Sequence, residues 1–270
     1  MTNTISAAAN PALANNLIQQ AMNEQPKNDF NPEIKSPLDN MVNLPGGLIT
    51  PTGEVFRVAE VRELNGKDEE AIARASNIGK ALLTILQLGT VKVGDQPADE
   101  SLLDNLLSGD LDAILLGIMK VTFGKTADIP ALCGKCEEYK VVTVDLDEDI
   151  KIKVLTDPIN DRVFTVQGKK NLFTVRLPSG YTQKQLINNA DKNEAEQTTI
   201  LLESTVMKID ESPVFNKIQV QNLGISDRQS IVTQLNNRVA GPQFTDITVK
   251  CPDCEGEVTV SINLGTLFRF

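Results

Sequence analysis

Histidine is absent from the 270-residue chain, and so is tryptophan. The first absence excludes serine and cysteine mechanisms with an imidazole base, His-ligated catalytic zinc and imidazole pH switches. The second leaves an aromatic content of 4%, from two Tyr and nine Phe. A base-stacking or sugar-stacking surface is hard to build from rings that the core also needs. Positive charge is scarce too. Lys and Arg number 26 against 36 Asp and Glu, a net charge of −10, which opposes general nucleic-acid binding and residence on anionic membranes. No run of about 18 apolar residues is present to span a bilayer, and the N-terminus lacks the basic and apolar regions of a signal peptide. Folding in a reducing cytoplasm is therefore expected, and there four cysteines point to metal sooner than to disulfides.

What is present is a globular composition, 41% hydrophobic, long enough for one large domain or two small ones. Residues 1–42 read as a separate Asn/Pro-rich flexible arm. Positions 1–40 hold eight Asn and four Pro, too little apolar surface to order alone. Leu13, Leu17 and Ile18 share a helical face that Pro11 would start at N1. A transient helix in a disordered tail and an arm that orders on a partner are both open readings, and the marginal stability of short isolated helices favours the first.

The body reads as a duplication. Glu54-Val55-Phe56-Arg57-Val58 falls on Asn171-Leu172-Phe173-Thr174-Val175, an offset of 117 residues. Leu83 and Ile85 fall on Ile200 and Leu202; Asp110, Ile114, Leu115 and Ile118 fall on Asp227, Ile231, Val232 and Leu235; Gly124 falls on Gly241. One residue is then gained, and Cys133 and Cys136 fall on Cys251 and Cys254, with Val142, Val144 and Leu146 on Val260, Ile262 and Leu264. The expected repeats are 43–150 and 151–270. Each starts with short strands, around Val55–Val61 and Val163–Leu177, and continues into helices. In the first these are near Ile78–Leu88 and Asp110–Val121, in the second near Glu194–Ile209 and Asp227–Val239. Ser226-x-x-Gln229 has the spacing of a capping box, and Gly124 and Gly241 stand where helix-terminal glycines belong. Each repeat then gives strand, Cys-x-x-Cys turn, strand.

The cysteines carry the specific chemistry. Cys133-Gly134-Lys135-Cys136 and Cys251-Pro252-Asp253-Cys254 are knuckle sequences, each followed by an alternating strand. Two intervening residues let both thiolates of a turn point at one ion, and two such turns complete a Cys₄ shell for structural Zn²⁺. The knuckles are 114 residues apart, wider than an ordinary zinc ribbon, and the duplication accounts for that: each repeat supplies half of one split ribbon. Two disulfides or free thiols, and redox catalysis, are the rivals. Redox chemistry wants its thiolate at a helix N-terminus, and here a β-branched strand follows each pair. A full Cys₄ shell leaves no open position for catalysis.

Other motifs are near misses. Gly124-Lys125-Thr126 ends like a P-loop, but Met119 stands where its first glycine belongs. Asp145, Asp147 and Asp149 open like an EF-hand, but Ile150 and Thr156 occupy the glycine and glutamate positions. Asp110 and Asp112 read as first-turn acids answering the helix dipole. Lys120, Lys125, Lys135, Lys140 and Lys250 interleave with Glu137, Glu138, Asp253 and Glu255, a mixed surface. Leu267-Phe268-Arg269-Phe270 either tucks onto the core or anchors a neighbour.

Taken in order, several segments resemble the baseplate hub assembly proteins of T4-like tailed bacteriophages, in their zinc-ribbon-bearing form. They are Leu44-Pro45-Gly46-Gly47 and Glu63–Glu70; Leu107–Leu115, Phe123-Gly124, the first knuckle and Val144-Asp145-Leu146; and Ser226-Asp227-Arg228, the second knuckle and the aromatic end after Gly265. The resemblance covers roughly residues 43–270. Glycine stands at position 46 where the family's opening motif commonly has serine, and the Asn-rich arm is longer than usual. The resemblance implies a non-enzymatic protein that helps build the tail baseplate hub through contacts with other phage tail and baseplate proteins, as subunit, assembly chaperone or both. It implies host cytoplasm during assembly and a place in the virion tail baseplate, with no nucleic-acid, membrane or small-molecule partner. The expected fold is α+β, two pseudo-equivalent repeats (strand pair plus helices) joined by a split Cys₄ zinc ribbon. The alternative is a cytoplasmic zinc-ribbon nucleic-acid-binding regulator, which would need a basic face.

Overall fold

The computed structural model describes residues 40–268; the Leu13/Leu17/Ile18 face and the terminal Arg269 and Phe270 lie outside them. Strand β1 (Met41–Ile49) pairs antiparallel with β2 (Val55–Val61) through a turn at which Gly53 takes φ +84°. The β1–β2 register shifts between Asn43 and Leu48, so Leu44-Pro45-Gly46-Gly47 forms a bulge. That segment reads as a turn from its composition, because Pro cannot donate to a ladder and Gly weakens one. It survives inside a strand because the bulge aims two N–H groups elsewhere. Gly46 and Gly47 donate to Asp110 Oδ1 at 2.6 and 3.2 Å.

Helices α1 (Gly66–Ala73) and α2 (Ile78–Gly89) follow. Asn65 and Asp68 cap α1 reciprocally, at 3.3 and 2.9 Å, and Asn77 caps α2 by accepting from the Lys80 N–H at 2.9 Å. Strands β3 (Thr90–Val93) and β4 (Gln96–Pro97) complete a sheet of order β1-β2-β3-β4. Then come α3 (Glu100–Asn105) and α4 (Ser108–Phe123), hairpin β5–β6 (Thr126–Leu132 and Tyr139–Asp145) and β7 (Lys151–Lys153).

The second half runs through β8 (Val163–Gln167), β9 (Leu172–Arg176), α5 (Gly180–Asn188), α6 (Glu194–Thr205), β10 (Val206–Ile209), β11 (Ser212–Pro213), α7 (Lys217–Gln221) and α8 (Ile225–Arg238). Its sheet has the order β8-β9-β10-β11. The starts of α3 and α4, at 100 and 108, fall 117 residues before those of α7 and α8, at 217 and 225. After β12 (Gly241–Gln243), which pairs with β7, come hairpin β13–β14 (Ile247–Lys250 and Glu257–Val260) and α9 (Leu264–Leu267).

Among the described residues three hydrophobic clusters result, and α4 with its N-cap touches all of them. Its Leu111, Ile114, Leu115 and Ile118 enter a cluster with Leu44, Val61, Ile85 and Val93. Its Leu116 and Met119 enter a second cluster with both hairpins. Leu107, at its N-cap, joins a third around Phe173, Leu202 and Ile231. A helix apolar on nearly every side has no solvent face to give up and belongs in the centre.

Three details differ from the sequence reading. The helix expected over Glu194–Ile209 stops at Thr205, where the β-branched Val206 opens β10 (Val206–Ile209). Helix α8 starts after Gly224, so Ser226 is its second residue and Asp227 its third, not a Ser226–Gln229 box. Asp227 reaches out instead and accepts from the Lys169 N–H at 2.8 Å. Gly241 is not a helix cap, since α8 ends at Arg238 with Val239 as its C-cap; it sits in β12 with φ +129°. Its role is close approach: a Cβ there would lie 2.7 Å from Gly109 Cα. Gly124 does end α4, with φ +100° and its N–H on the Lys120 carbonyl at 2.9 Å.

Helices α4 and α5 also meet at a polar pair. Asp112 is half-buried, and the Gln183 amide donates to it at 3.4 Å, while Gln183 Oε1 is a buried oxygen with no partner among the described residues. Burial pushes the Asp112 carboxyl up from 3.8 to about 6. The folded chain therefore holds this proton to higher pH than the unfolded chain, so the group's contribution to stability falls as pH rises from about 4 to about 6. Asp112→Asn removes the charge and gives Gln183 Oε1 a donor. We expect a gain of about 1 kcal/mol or more at pH 7.5 that vanishes near pH 4. Thermal melts at the two pH values check this; a variant no more stable at pH 7.5 would refute it.

Candidate metal centre

Each hairpin turns at its cysteine pair by the same backbone route. In β5–β6 the Glu137 N–H donates to the Cys133 carbonyl at 2.9 Å and the Cys133 N–H to the Glu138 carbonyl at 3.0 Å. In β13–β14 the Glu255 N–H donates to the Cys251 carbonyl at 3.0 Å and the Cys251 N–H to the Gly256 carbonyl at 2.7 Å. Glu137 and Glu255 take φ of 55° and 54°. Left-handed backbone at a residue with a Cβ costs roughly 1–2 kcal/mol, so both knuckles hold the same uphill conformation. Strain of that kind persists where surrounding structure over-determines it, characteristically at functional sites.

The turns bring the four sulfurs together, all within 4.8 Å of one another. Cys133 Sγ lies 3.6 Å from Cys254 Sγ, and Cys136 Sγ 3.9 Å from Cys251 Sγ. Disulfide sulfurs are about 2.05 Å apart, so these are four free thiols. A tetrahedron with metal–sulfur bonds of about 2.3 Å has sulfur–sulfur edges of about 3.8 Å, so the donor set fits one tetrahedral, thiophilic ion. Cys133 and Cys251 are buried; Cys136 and Cys254 are half-buried.

Backbone dipoles shape the thiols. The N–H groups of Cys136 and Lys135 face Cys133 and pull it down to about 6. The Glu138 N–H favours the Cys136 thiolate, yet burial and the surrounding thiols push Cys136 up to about 12. Cys254 has the Gly256 N–H beside it but is likewise raised, by burial and by Cys133 and Cys251. Four thiols this close resist ionising together, and a cation among them would reverse that.

Two lysines of the first knuckle tie it to the second. Lys135 Nζ donates to the Cys254 carbonyl at 2.8 Å, and Lys140 Nζ sits 2.5 Å from both Asp253 and Glu138. The sequence reading placed them only in a mixed surface; the complementary Asp253 in the opposite knuckle was the signal available. Lys120 and Lys125 flank Asp147 at 2.5 and 3.4 Å. Asp145 accepts from the N–H groups of Asp147 and Glu148, and Asp149 accepts from the Asp145 N–H. The acidic run is thus a turn bonded to itself and to lysines. Asp110 is fully buried and accepts from Gly46, Gly47 and Leu107 N–H groups. Arg162 donates to the carbonyls of Gly46 and Gly47 from across the junction. Of the terminal segment, Leu267 is buried, and Phe268 meets Phe123 edge-on with ring centroids 6.5 Å apart.

No helix among the described residues is long and apolar enough to cross a membrane. No curated protein and no solved structure matches the chain. The family model described as T4 bacteriophage base plate protein matches residues 50–212. That span takes in both four-stranded sheets from the β1–β2 turn to the start of β11, together with the first knuckle, and stops short of the second. It covers more than half of the chain, which therefore belongs to the T4 bacteriophage base plate protein family.

Proposed function

We propose that this protein is a non-enzymatic hub subunit or assembly factor of the tail base plate, acting through contacts with other base plate proteins. Its repeats, 43–150 and 151–270, are clamped by one structural Zn²⁺ held by Cys133, Cys136, Cys251 and Cys254. The family match carries the base plate reading. The clamp rests on four sulfurs within 4.8 Å drawn from two hairpins. The duplication draws support from two sheets of matching strand order and from helices that start 117 residues apart. Thiolates select thiophilic ions, and four of them in a tetrahedron suit zinc. The chain's own residues bind the ion, shield it within the shared hairpin cluster and link the knuckles through Lys135 and Lys140. A closed shell of this kind holds structure together and leaves no coordination position for a substrate.

Elemental mass spectrometry of protein purified without added metal is expected to find one zinc per chain. Co-expressed with the other base plate proteins of its phage, the tagged chain is expected to recover a defined complex. Metal-free protein with four titratable thiols would break the clamp; a chain recovered alone would break the base plate reading.

A further inference from the structure

The two knuckle hairpins share one backbone register but present opposite outer faces. In β5–β6 Leu132 pairs with Tyr139 and Pro130 with Val141. In β13–β14 the pairs 118 residues on are Lys250 with Glu257 and Thr248 with Thr259. All eight residues are exposed, with buried or half-buried residues between them along each strand. Polar residues therefore satisfy this position in the fold. Yet the first hairpin exposes Leu132 by 52%, Tyr139 by 76% and Val141 by 68%, side by side. Contiguous exposed apolar side chains mark contact surfaces.

Charge around the patch narrows its occupant. Asp128 stands on the same face beyond Pro130, and exposed Glu137 and Glu138 border the knuckle end. Lys135 turns away to the Cys254 carbonyl, and Lys140 is taken up by Asp253 and Glu138, which leaves Asp128 and Glu137 as the acids of the rim. The apolar centre thus has an acidic rim. A second copy docked about a two-fold axis would set this rim against itself. Four side chains also fall far short of the ~800 Å² per partner of a standard stable interface. We propose that this face docks a different base plate protein, one presenting an apolar surface bordered by Lys or Arg, as one contact among several in the assembly. The inference rests on the base plate reading and names the partner chemistry for it.

The test transplants the second hairpin's face onto the first: Leu132→Lys, Tyr139→Glu and Val141→Thr together, in the full chain co-expressed with its base plate proteins. Recovery of the complex is expected to drop at least tenfold while metal content and melting temperature stay at wild-type values. Asp128→Lys is expected to reduce recovery about threefold, and Lys250→Glu on the other hairpin to leave it unchanged. Should the triple variant melt early, Tyr139→Glu alone makes the same test at one exposed side chain. Undiminished recovery with a folded variant would overturn the docking face and leave the base plate reading standing. A wild-type chain that recovers no base plate protein would overturn both. A complex that proves to be a dimer of this chain, lost in the variant, would overturn the assignment of partner.

Discussion

Replacing Cys251 with serine is expected to abolish stoichiometric zinc and to lower the melting temperature by about 10 °C. Cys251 is 1% exposed and lies in the same cluster as both hairpins. The substitution is nearly isosteric, so its effect comes from lost ligation more than from lost packing. Structural zinc in small finger peptides contributes about 10–16 kcal/mol at neutral pH. Here Leu116, Met119, Val144 and Val258 also hold the hairpins, so part of the site survives without metal. Loss of a structural metal belongs with the mutational effects of about 4 kcal/mol and above, and at about 2–4 °C per kcal/mol for chains of this size a shift near 10 °C follows. Calorimetry of wild type, wild type with chelator, and the variant checks the claim. Chelator should bring the wild type down to the variant's melting temperature and leave the variant unmoved. A variant that melts with the wild type and still carries one zinc would sink the clamp.

Gly109→Ala is expected to be the other severe substitution, against the ordinary rule for helices. Within a helix Ala is normally favoured over Gly by about 1 kcal/mol. Gly109, however, lies where α4 meets β12, and a Cβ there would sit 1.5 Å from the Ala240 carbonyl oxygen. Backbone on the other side cannot rotate out of the way as a flexible side chain would. The helix and strand β12 must separate, disturbing the β7–β12 pairing at Gly241–Lys153. Overpacking of this kind costs about 3 kcal/mol or more. Gly66→Ala, at the start of α1 with nothing within 4 Å of its added Cβ, is the control and should leave stability within about 0.5 kcal/mol. Equal unfolding midpoints for the Gly109 variant and the wild type would refute the close approach.

The cysteine spacing made the centre legible without a structure. The two Cys-x-x-Cys pairs stand 114 residues apart, and the fold brings their four sulfurs within 4.8 Å of one another. The helices near 78 and 194 were legible in the sequence, and the structure adds Asn77 and Asn193 as their N-caps. Strand β1 was not, because Leu44-Pro45-Gly46-Gly47 has turn chemistry, and only the distant Asp110 explains why its N–H groups leave the ladder. Ser226 misled because a capping box is a local pattern, whereas Asp227 answers to Lys169 in a hairpin 58 residues earlier. Gly241 misled for a related reason: its glycine serves a neighbour brought close by the fold, not the helix that precedes it in sequence. The parts that depend on contacts between residues far apart in the chain were the ones that local patterns could not reach.

The sulfurs of each close pair stand 115 or 121 positions apart in the chain. Translation at about 5–20 residues per second separates the emergence of the two knuckles by on the order of ten seconds. During that interval the first hairpin offers two thiols to a site that is half built. Closing so long a span adds little equilibrium cost, since each doubling of loop length adds only about 0.6 kcal/mol, but non-local contacts form late. Tight metal capture of the proposed kind would therefore wait until both halves have folded and met. Occupancy would then act as a stamp of completion, carried by finished molecules and missing from those whose second half has gone astray.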